Sequence, residues 1–349
     1  MSLGEETKGG HSGGIVCAGN FIVDRVHALS YWPEQGNLTH ILHQDIGVGG
    51  GAANVVTDLA SLGFPGGLSA AGCLGDDADG LFVRERLAQH GIDVSGMVSL
   101  GEAATAHTHV MTVPGQSRTF FYHGGANDDM TQASINMASY AQQGYRLFYL
   151  GYLMLLPGLD KLDGHGRSGA SHLLEAAQKA GLLTCVDFVS SEDPAFQRQV
   201  GVALPYCDYL IINEIEAGRA TGIAVRDSQG KLLVDALHKA GNSLLTGGVR
   251  RGAIIHAPEL SLWLERGCEA ITTYSLPVAV EDIVSPVGAG DAFCAAVLYG
   301  LHEGWPSARI AAVAHRAAAH CLGGATATDG IPHMSVLVEE TKETRPAFG

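Results

Sequence analysis

The sequence predicts an α/β fold, with a mainly parallel central sheet covered by helices and a small β-sheet lid projecting from it. Three observations carry this reading. Short apolar runs alternate with helix-period stretches along most of the chain, the stretch 105–122 breaks that rhythm with a hairpin pattern, and two glycine runs each lead into a helical pattern. Strand, helix, strand in this rhythm implies parallel strands joined by crossovers.

Taken in order, the apolar run 15–18 ends at Gly19-Asn20 and reads as a buried strand. A second run, 21–26, is interrupted by the charged pair Asp24-Arg25, as expected next to a site. The stretch 31–37, with Pro33 and Gly36, is loop chemistry. The glycines of 47–51 open an apolar-periodic segment that runs through Ala60 and stops at Gly63, a helix ended by a C′ glycine. Strand and helix then pair as 68–75 with 78–90, 146–152 with 169–180, 182–188 with 195–204, and 209–213 with 214–221. Ligands of such sheets bind at the carboxyl ends of the strands. That places Asp187, Asn213 and Thr246, each near the end of a predicted strand, on the functional edge.

The runs 105–113 and 118–122, joined by Pro114-Gly115-Gln116-Ser117, read as a β-hairpin. Together with the stretch 38–46 they form the expected lid. The expected organisation is one domain over 14–335, with lid strands from about 21–48 and 105–123 and flexible tails at 1–13 and 339–349.

Composition bounds the function. The 349 residues, 46% apolar and 16% charged, describe a well-buried globular enzyme, and 47 glycines favour a loop-built ligand site. A net charge of −15 with no clustered Lys/Arg stripe argues against nucleic acid as a partner. The seven cysteines are odd in number, scattered and without a CxxC pair, so they read as buried thiols in a reducing compartment. With no apolar h-region at the start and no 18-residue uncharged apolar run, neither a membrane span nor a secretory signal is expected, and the expected location is cytoplasmic.

The strongest chemical feature is Ser285-Pro286-Val287-Gly288-Ala289-Gly290-Asp291 followed by an apolar helix. Small residues at a helix start leave backbone N–H groups aimed at one point, where the dipole also favours negative charge. Such a point suits a phosphoryl group in transfer, and Asp291 in the first turn could take a proton from an attacking hydroxyl. By itself the segment reads equally well as an ordinary N-cap and tight turn. The run Gly49-Gly50-Gly51-Ala52-Ala53-Asn54 is the second feature. The overlapping Gly47-Val48-Gly49-Gly50-Gly51-Ala52 satisfies a loose GxGxxA, the sole support for a dinucleotide oxidoreductase, but it lies about 30 residues after the first strand instead of directly on it. No GxxxxGK[ST] occurs, which excludes a P-loop.

GGGAANVVTDLASLG and GAGDAF together, in this order and at this separation, resemble the two signatures of the ribokinase-like (PfkB) carbohydrate kinase family. The segments Gly19-Asn20 to Asp24, Gly75-Asp76-Asp77, Gly124-Gly125-Ala126-Asn127, Asn213-Glu214-Ile215-Glu216 and Thr246-Gly247-Gly248 fit the same template, so the resemblance spans roughly 14–332. It implies a ribokinase-like three-layer α/β/α domain with a mainly parallel central sheet and a small β-sheet lid, and the use of ATP and Mg²⁺ to phosphorylate a hydroxyl of a sugar or sugar-like molecule. Residue by residue, it makes Asp24 the carboxylate that binds substrate hydroxyls, with Gly50, Gly51 and Asn54 in the same pocket. Asp291 resembles the base and Gly288, Ala289 and Gly290 the anion hole. Asn213 and Glu216 match the motif that holds phosphates and Mg²⁺ through water, Thr246 and Gly248 the nucleotide-binding turn, and His315 a position near the adenine. Asp187 is a further candidate for the metal-binding network.

Each residue also has a plainer reading: Asp24 as a turn residue, Asn54 as a solvated helix residue, Glu216 as a first-turn carboxylate favoured by the helix dipole, His315 as a packed helix histidine. One departure concerns Ser285-Pro286, where the family carries Asp-Thr and its Asp helps hold an activating monovalent cation. A K⁺ site is therefore in doubt, and a degenerate kinase acting as a ligand sensor is an alternative, as is a nucleoside kinase of the same family. His107 and His109 share a strand face and His40 and His43 lie close, but neither pair has the further ligands of a zinc set. In the lid, alternation places Arg118, Phe120 and Tyr122 on one face, where Arg118 would meet an acidic group or an extra hydroxyl and the aromatics a ring. The lid's exposed strand edges suggest a homodimer formed through it.

Overall fold

A computed structural model of the chain describes residues 13–116 and 118–343. Ser117 of the expected hairpin turn and the expected tail segments 1–12 and 344–349 lie outside the described residues.

Nine strands build the main sheet: β1 (Gly14–Gly19), β4 (Gly67–Gly75), β5 (Asp93–Leu100), β8 (Tyr145–Leu153), β9 (Leu183–Phe188), β10 (Tyr209–Asn213), β11 (Gly252–His256), β12 (Leu260–Glu265) and β13 (Ile271–Tyr274). Their order is β13-β12-β11-β10-β9-β8-β1-β4-β5, parallel from β11 to β5 and antiparallel where β12 and β13 close one edge. The period of two along each strand sorts side chains onto two faces. Val16 and Ala18 of β1, Phe148 and Leu150 of β8, and Leu210 and Ile212 of β10 join one buried cluster with the helices Gly169–Lys179 and Val234–Thr246. Ile15 and Cys17, Leu147 and Tyr149, and Ile211 join the other, with the helices Gly51–Ser61, Ala289–His302 and Ser307–Leu322. The result is the expected three layers.

The remaining strands form the lid, a four-stranded mixed sheet ordered β3-β2-β6-β7 from β2 (Ile22–Leu29), β3 (Ile41–Gly49), β6 (His107–Thr112) and β7 (Thr119–His123). The hairpin read between 105 and 122 is the antiparallel pair β6 and β7, and β2 pairs parallel to β6. An ion pair ties the lid to the body: one guanidinium nitrogen of Arg25 donates to both carboxylate oxygens of Asp79 in the helix Ala78–Gln89, at 2.7 and 2.9 Å.

Two expectations need correction. The chain from 339 is not a loose tail, because the helix Met334–Glu343 buries Met334 and Leu337 against the Ser307–Leu322 helix and Glu340 pairs with Arg316 and His320. Thr246 does not end a strand. It is the last residue of a helix whose buried Leu237, Ala240, Gly241, Leu244 and Leu245 recur at helical spacing, and its hydroxyl donates back to the Asn242 carbonyl. The short run Leu244-Leu245 has no period of its own and completes that helical face. The strand begins at Gly252, so Thr246 and Gly248 lie at its amino end, across the sheet from the edge expected, and His256 takes the strand-end position.

Candidate active site

The parallel strands deliver Asn20, Tyr152, Asp187, Asn213 and His256 to one edge of the sheet, where two glycine-led helix starts also open. Gly50 caps the first, at φ 96°, and Gly288 the second, at φ 90°. Left-handed backbone of this kind favours glycine. At Gly288 the case is doubled, since an added Cβ would run into the Ala327 carbonyl.

Asp291 sits in the first turn of the Ala289–His302 helix, 5% exposed. Its Oδ2 accepts from Nδ2 of Asn54 at 2.8 Å and from the Tyr152 hydroxyl at 3.2 Å. Burial lifts its pKa to about 6, while those two hydrogen bonds pull the other way. A carboxyl so placed is ionised at neutral pH yet basic enough to accept a proton. The backbone N–H groups at 288–290 have no helical partners and lie beside it, so a proton-accepting carboxylate and a set of open N–H donors share one location. The structure thus brings Gly288, Ala289, Gly290, Asp291 and Asn54 together.

On the lid side, Asp24 projects from β2 over Gly49, where any Cβ would collide with its carboxylate. Burial raises its pKa to about 6 and a hydrogen bond with Thr108 opposes the rise. Thr108 and Tyr122 stand directly across from Asp24 in the β2-β6-β7 register and share its face. Arg118 is not in that row. It precedes β7, four residues from Tyr122, roughly 13 Å along an extended strand. Gly51 also differs from expectation, because its Cα side is filled by the Tyr152 ring.

On the other side of Asp291 lies a cleft of about 660 Å³, lined among others by Asn213, His256, Pro286, Gly290, Phe293 and His315. Burial lowers the pKa of both His256 and His315 to about 4, so both are neutral imidazoles at pH 7. His315 meets the Ser261 hydroxyl at 2.9 Å and packs edge-on to Phe293, a position that satisfies packing and borders the cleft at once. Ser285 is buried and its hydroxyl accepts from the Val287 N–H at 3.2 Å, which is how the loop is held without an acidic residue there.

Asn213 and Glu216 form a reciprocal cap: the Asn213 side chain accepts from the Glu216 N–H at 2.8 Å and Glu216 from the Asn213 N–H at 2.9 Å. The Ser190 hydroxyl occupies the other Glu216 oxygen at 3.0 Å. Asp187 accepts from the Tyr149 hydroxyl at 3.4 Å. Its pKa is pushed well above the usual range by burial and then by Glu216 and Asp291. A buried carboxyl raised by neighbouring carboxylates is a setting a divalent cation relieves. Among the described residues no group of three or more His, Cys, Asp or Glu side chains is arranged to hold a metal ion directly. The donor set therefore fits Mg²⁺ held through water and phosphate oxygens, which suits an ion reluctant to dehydrate.

Two site residues escaped the sequence reading. Tyr152 lies in an apolar run with no motif, and His256 is the last residue of an apolar strand whose end the sequence reading places at Thr246. Among the described residues no helix is long and apolar enough to cross a membrane.

Comparisons with known proteins bear on the fold and the family. The chain is 23% identical to a 5-dehydro-2-deoxygluconokinase of Geobacillus thermodenitrificans over 312 residues, 86% of each chain. It superposes on Arabidopsis thaliana ribokinase, solved with ribose and ATP, with a TM-score of 0.78 at 22% identity, covering 95% of this chain and 99% of that one. A putative ribokinase II from E. coli, solved with ATP and Mg²⁺, gives a TM-score of 0.73 at 18% identity over 96% and 100%. The pfkB family carbohydrate kinase model matches residues 13–334, and the chain belongs to that family of phosphotransferases with an alcohol group as acceptor.

Proposed function

We propose that the protein transfers the γ-phosphoryl group of ATP to a hydroxyl of a sugar or sugar-like small molecule. The observation that carries the reading is the position of Asp291, buried in the first turn of a glycine-led helix between the Asp24 side of the lid and the cleft beside Phe293 and His315. The acceptor is oriented by Asp24 and Asn54, and Asp291 takes its proton as the oxygen attacks phosphorus. The N–H groups at 288–290 stabilise charge on the transferring phosphoryl. ATP fills the cleft, with its phosphates toward Gly290 and Asn213. Asp187 and Glu216 would hold Mg²⁺ through water, and the ion would supply charge neutralisation at the phosphates. Closure of the lid excludes water that would otherwise hydrolyse ATP.

A nucleoside acceptor is the second reading, favoured by Phe120 and Tyr122, which are 56% and 37% exposed on the Asp24 face of the lid. Either aromatic could stack on a base. The lid also exposes Leu38, Ile41, Leu42, Ile46 and Phe121, and its edges β3 and β7 are unpaired among the described residues. A second copy of the chain covering this lid accounts for both features. Light scattering on the purified protein reads the mass, and a monomer at micromolar concentration removes that part.

The kinase reading is tested by ADP release with Mg·ATP across a panel of sugars, sugar acids and nucleosides, beside Asp291→Asn. Turnover of one compound that the variant lacks supports it and names the acceptor class. Binding of ATP with no turnover anywhere in the panel favours a ligand sensor.

A further inference from the structure

Where β8 ends, the backbone departs from regular strand geometry. Tyr152 has φ 56° and Met154 φ 81°, in the left-handed region that non-glycine residues rarely occupy, and the pairing of β8 with β9 slips between Leu150 and Leu153. This irregularity turns Tyr152 toward Asp291, to which it donates, while Tyr149, in the regular part of the strand before it, donates to Asp187. The Tyr152 ring lies against Gly51, where the added Cβ of any other residue would collide with ring carbons. Glycine at 51 and left-handed backbone at 152 thus both serve the placement of one hydroxyl group.

The hydroxyl of Tyr152 and the amide of Asn54 end on the same oxygen of Asp291, Oδ2. Among the described residues no hydrogen bond to Oδ1 is formed. Two donors on one oxygen fix the rotation of the carboxylate and leave the lone pairs of the other for an incoming hydroxyl. From this geometry we propose that Tyr152 is a positioning residue, which holds Asp291 ionised and turned so that Oδ1 is the atom that receives the acceptor's proton. The proposal rests on the reading of Asp291 as the base. Burial and the neighbouring Asp291, Asp187 and Glu216 carboxylates push the ionisation of Tyr152 well above its ordinary value, so it remains a donor at every working pH. Its role is therefore to give a hydrogen bond, never to take the proton itself.

A ring that merely fills space would leave the titration of Asp291 alone, and this separates the two roles. In the full chain labelled with ¹³C at aspartate carboxyl carbons, the Asp291 resonance is identified by its loss in Asp291→Asn. Its titration midpoint is then compared between wild type and Tyr152→Phe. The midpoint moves up in the variant, because a donor to the charged form has gone. Gly51→Ala, which displaces the ring but keeps the phenol, moves it the same way and carries the test should Tyr152→Phe fail to fold. An unchanged midpoint in a folded variant overturns the proposal. No substrate enters this readout, so it stands apart from the kinase reading, which fails if wild type turns over no acceptor. With an acceptor in hand, kcat/KM of Tyr152→Phe is roughly tenfold lower at about pH 6 and the gap closes on the alkaline side. A loss of equal size at every pH also overturns the assignment.

Discussion

Asn54 donates its side-chain amide to Oδ2 of Asp291 across 2.8 Å, joining residues 237 positions apart in the chain. The bond ties the first turn of one glycine-led helix to the first turn of the other, so that in the proposed reaction acceptor side and phosphoryl side share a single buried carboxylate. Because it favours the ionised form, its removal raises the pKa of Asp291 above about 6. A base works deprotonated, so activity rises with pH through that value in the wild type. In Asn54→Ala the acidic limb of the kcat/KM profile moves to higher pH, and Asp291→Asn lowers kcat by roughly 10²–10⁴-fold above that limb, the gap narrowing as the pH falls through it. An Asn54→Ala profile that overlays the wild type would show that the bond does not set the ionisation of the base.

Asp58, on the Gly51–Ser61 helix, is a second buried carboxylate, and its role is different. It is fully buried, and among the described residues neither of its oxygens has a hydrogen-bond partner. Burial first, and then the Asp291 charge, push its pKa well above the usual range. A folded-state pKa above the unfolded value means that the neutral form fits the fold. Stability linked to Asp58 is thus fully present below pH about 4 and is lost as pH rises toward the folded pKa. Asp58→Ala removes the unpaired group from a helix that favours alanine, and a gain on the order of 1–3 kcal/mol at neutral pH is expected. Thermal melts at several pH values check this: the gain shrinks as the pH is lowered, and a destabilised variant at neutral pH would mean that the carboxylate has a partner.

How much of this was legible follows from what periodicity encodes. The core strands, the hairpin and the two glycine-led helices were readable because each carries a local pattern of period two or 3.6, or a turn residue at a fixed offset. Gly288 and Asp291 came from those same patterns, while Gly50 and Asn54 were singled out by the resemblance that the two motifs carry together. Tyr152 did not, because a left-handed φ and a strand slip leave no signature in a run such as Tyr149 to Met154. Thr246 was misplaced because two leucines before a threonine look alike at the end of a helix and the end of a strand. The Met334–Glu343 helix was missed in part because its polar face resembles a tail; what fixes it is packing against the Ser307–Leu322 helix.

The nucleotide side offers a direct test of that correction. His256 stands at the strand end, with its ring 5.0 Å from that of Phe293 and its Cε1 within 3.3 Å of where a Cβ on Gly290 would lie, whereas Thr246 is occupied with the Asn242 carbonyl. His256→Ala raises KM for ATP several-fold, the loss of about one contact's worth of binding. Thr246→Ala leaves KM for ATP unchanged. The reverse pattern in steady-state kinetics would return the nucleotide turn to Thr246.

On the lid, Tyr122 and Arg118 are distinguished by register. Tyr122 faces Thr108, which faces Asp24, so all three stand in one row across β7, β6 and β2. Burial raises the pKa of Tyr122, and Asn127 and Asn20 lie within its reach, which places the hydroxyl at the junction of lid and body. Truncation of Tyr122 to Ala therefore raises KM for the acceptor by about tenfold and leaves KM for ATP alone, as expected for one lost contact in the acceptor pocket. Arg118→Ala, at the far end of the hairpin, leaves both constants near wild type when the acceptor is a neutral sugar. If Arg118→Ala weakens acceptor binding while Tyr122→Ala does not, the acceptor reaches further along the lid than the Asp24 row, as a longer or acidic sugar would.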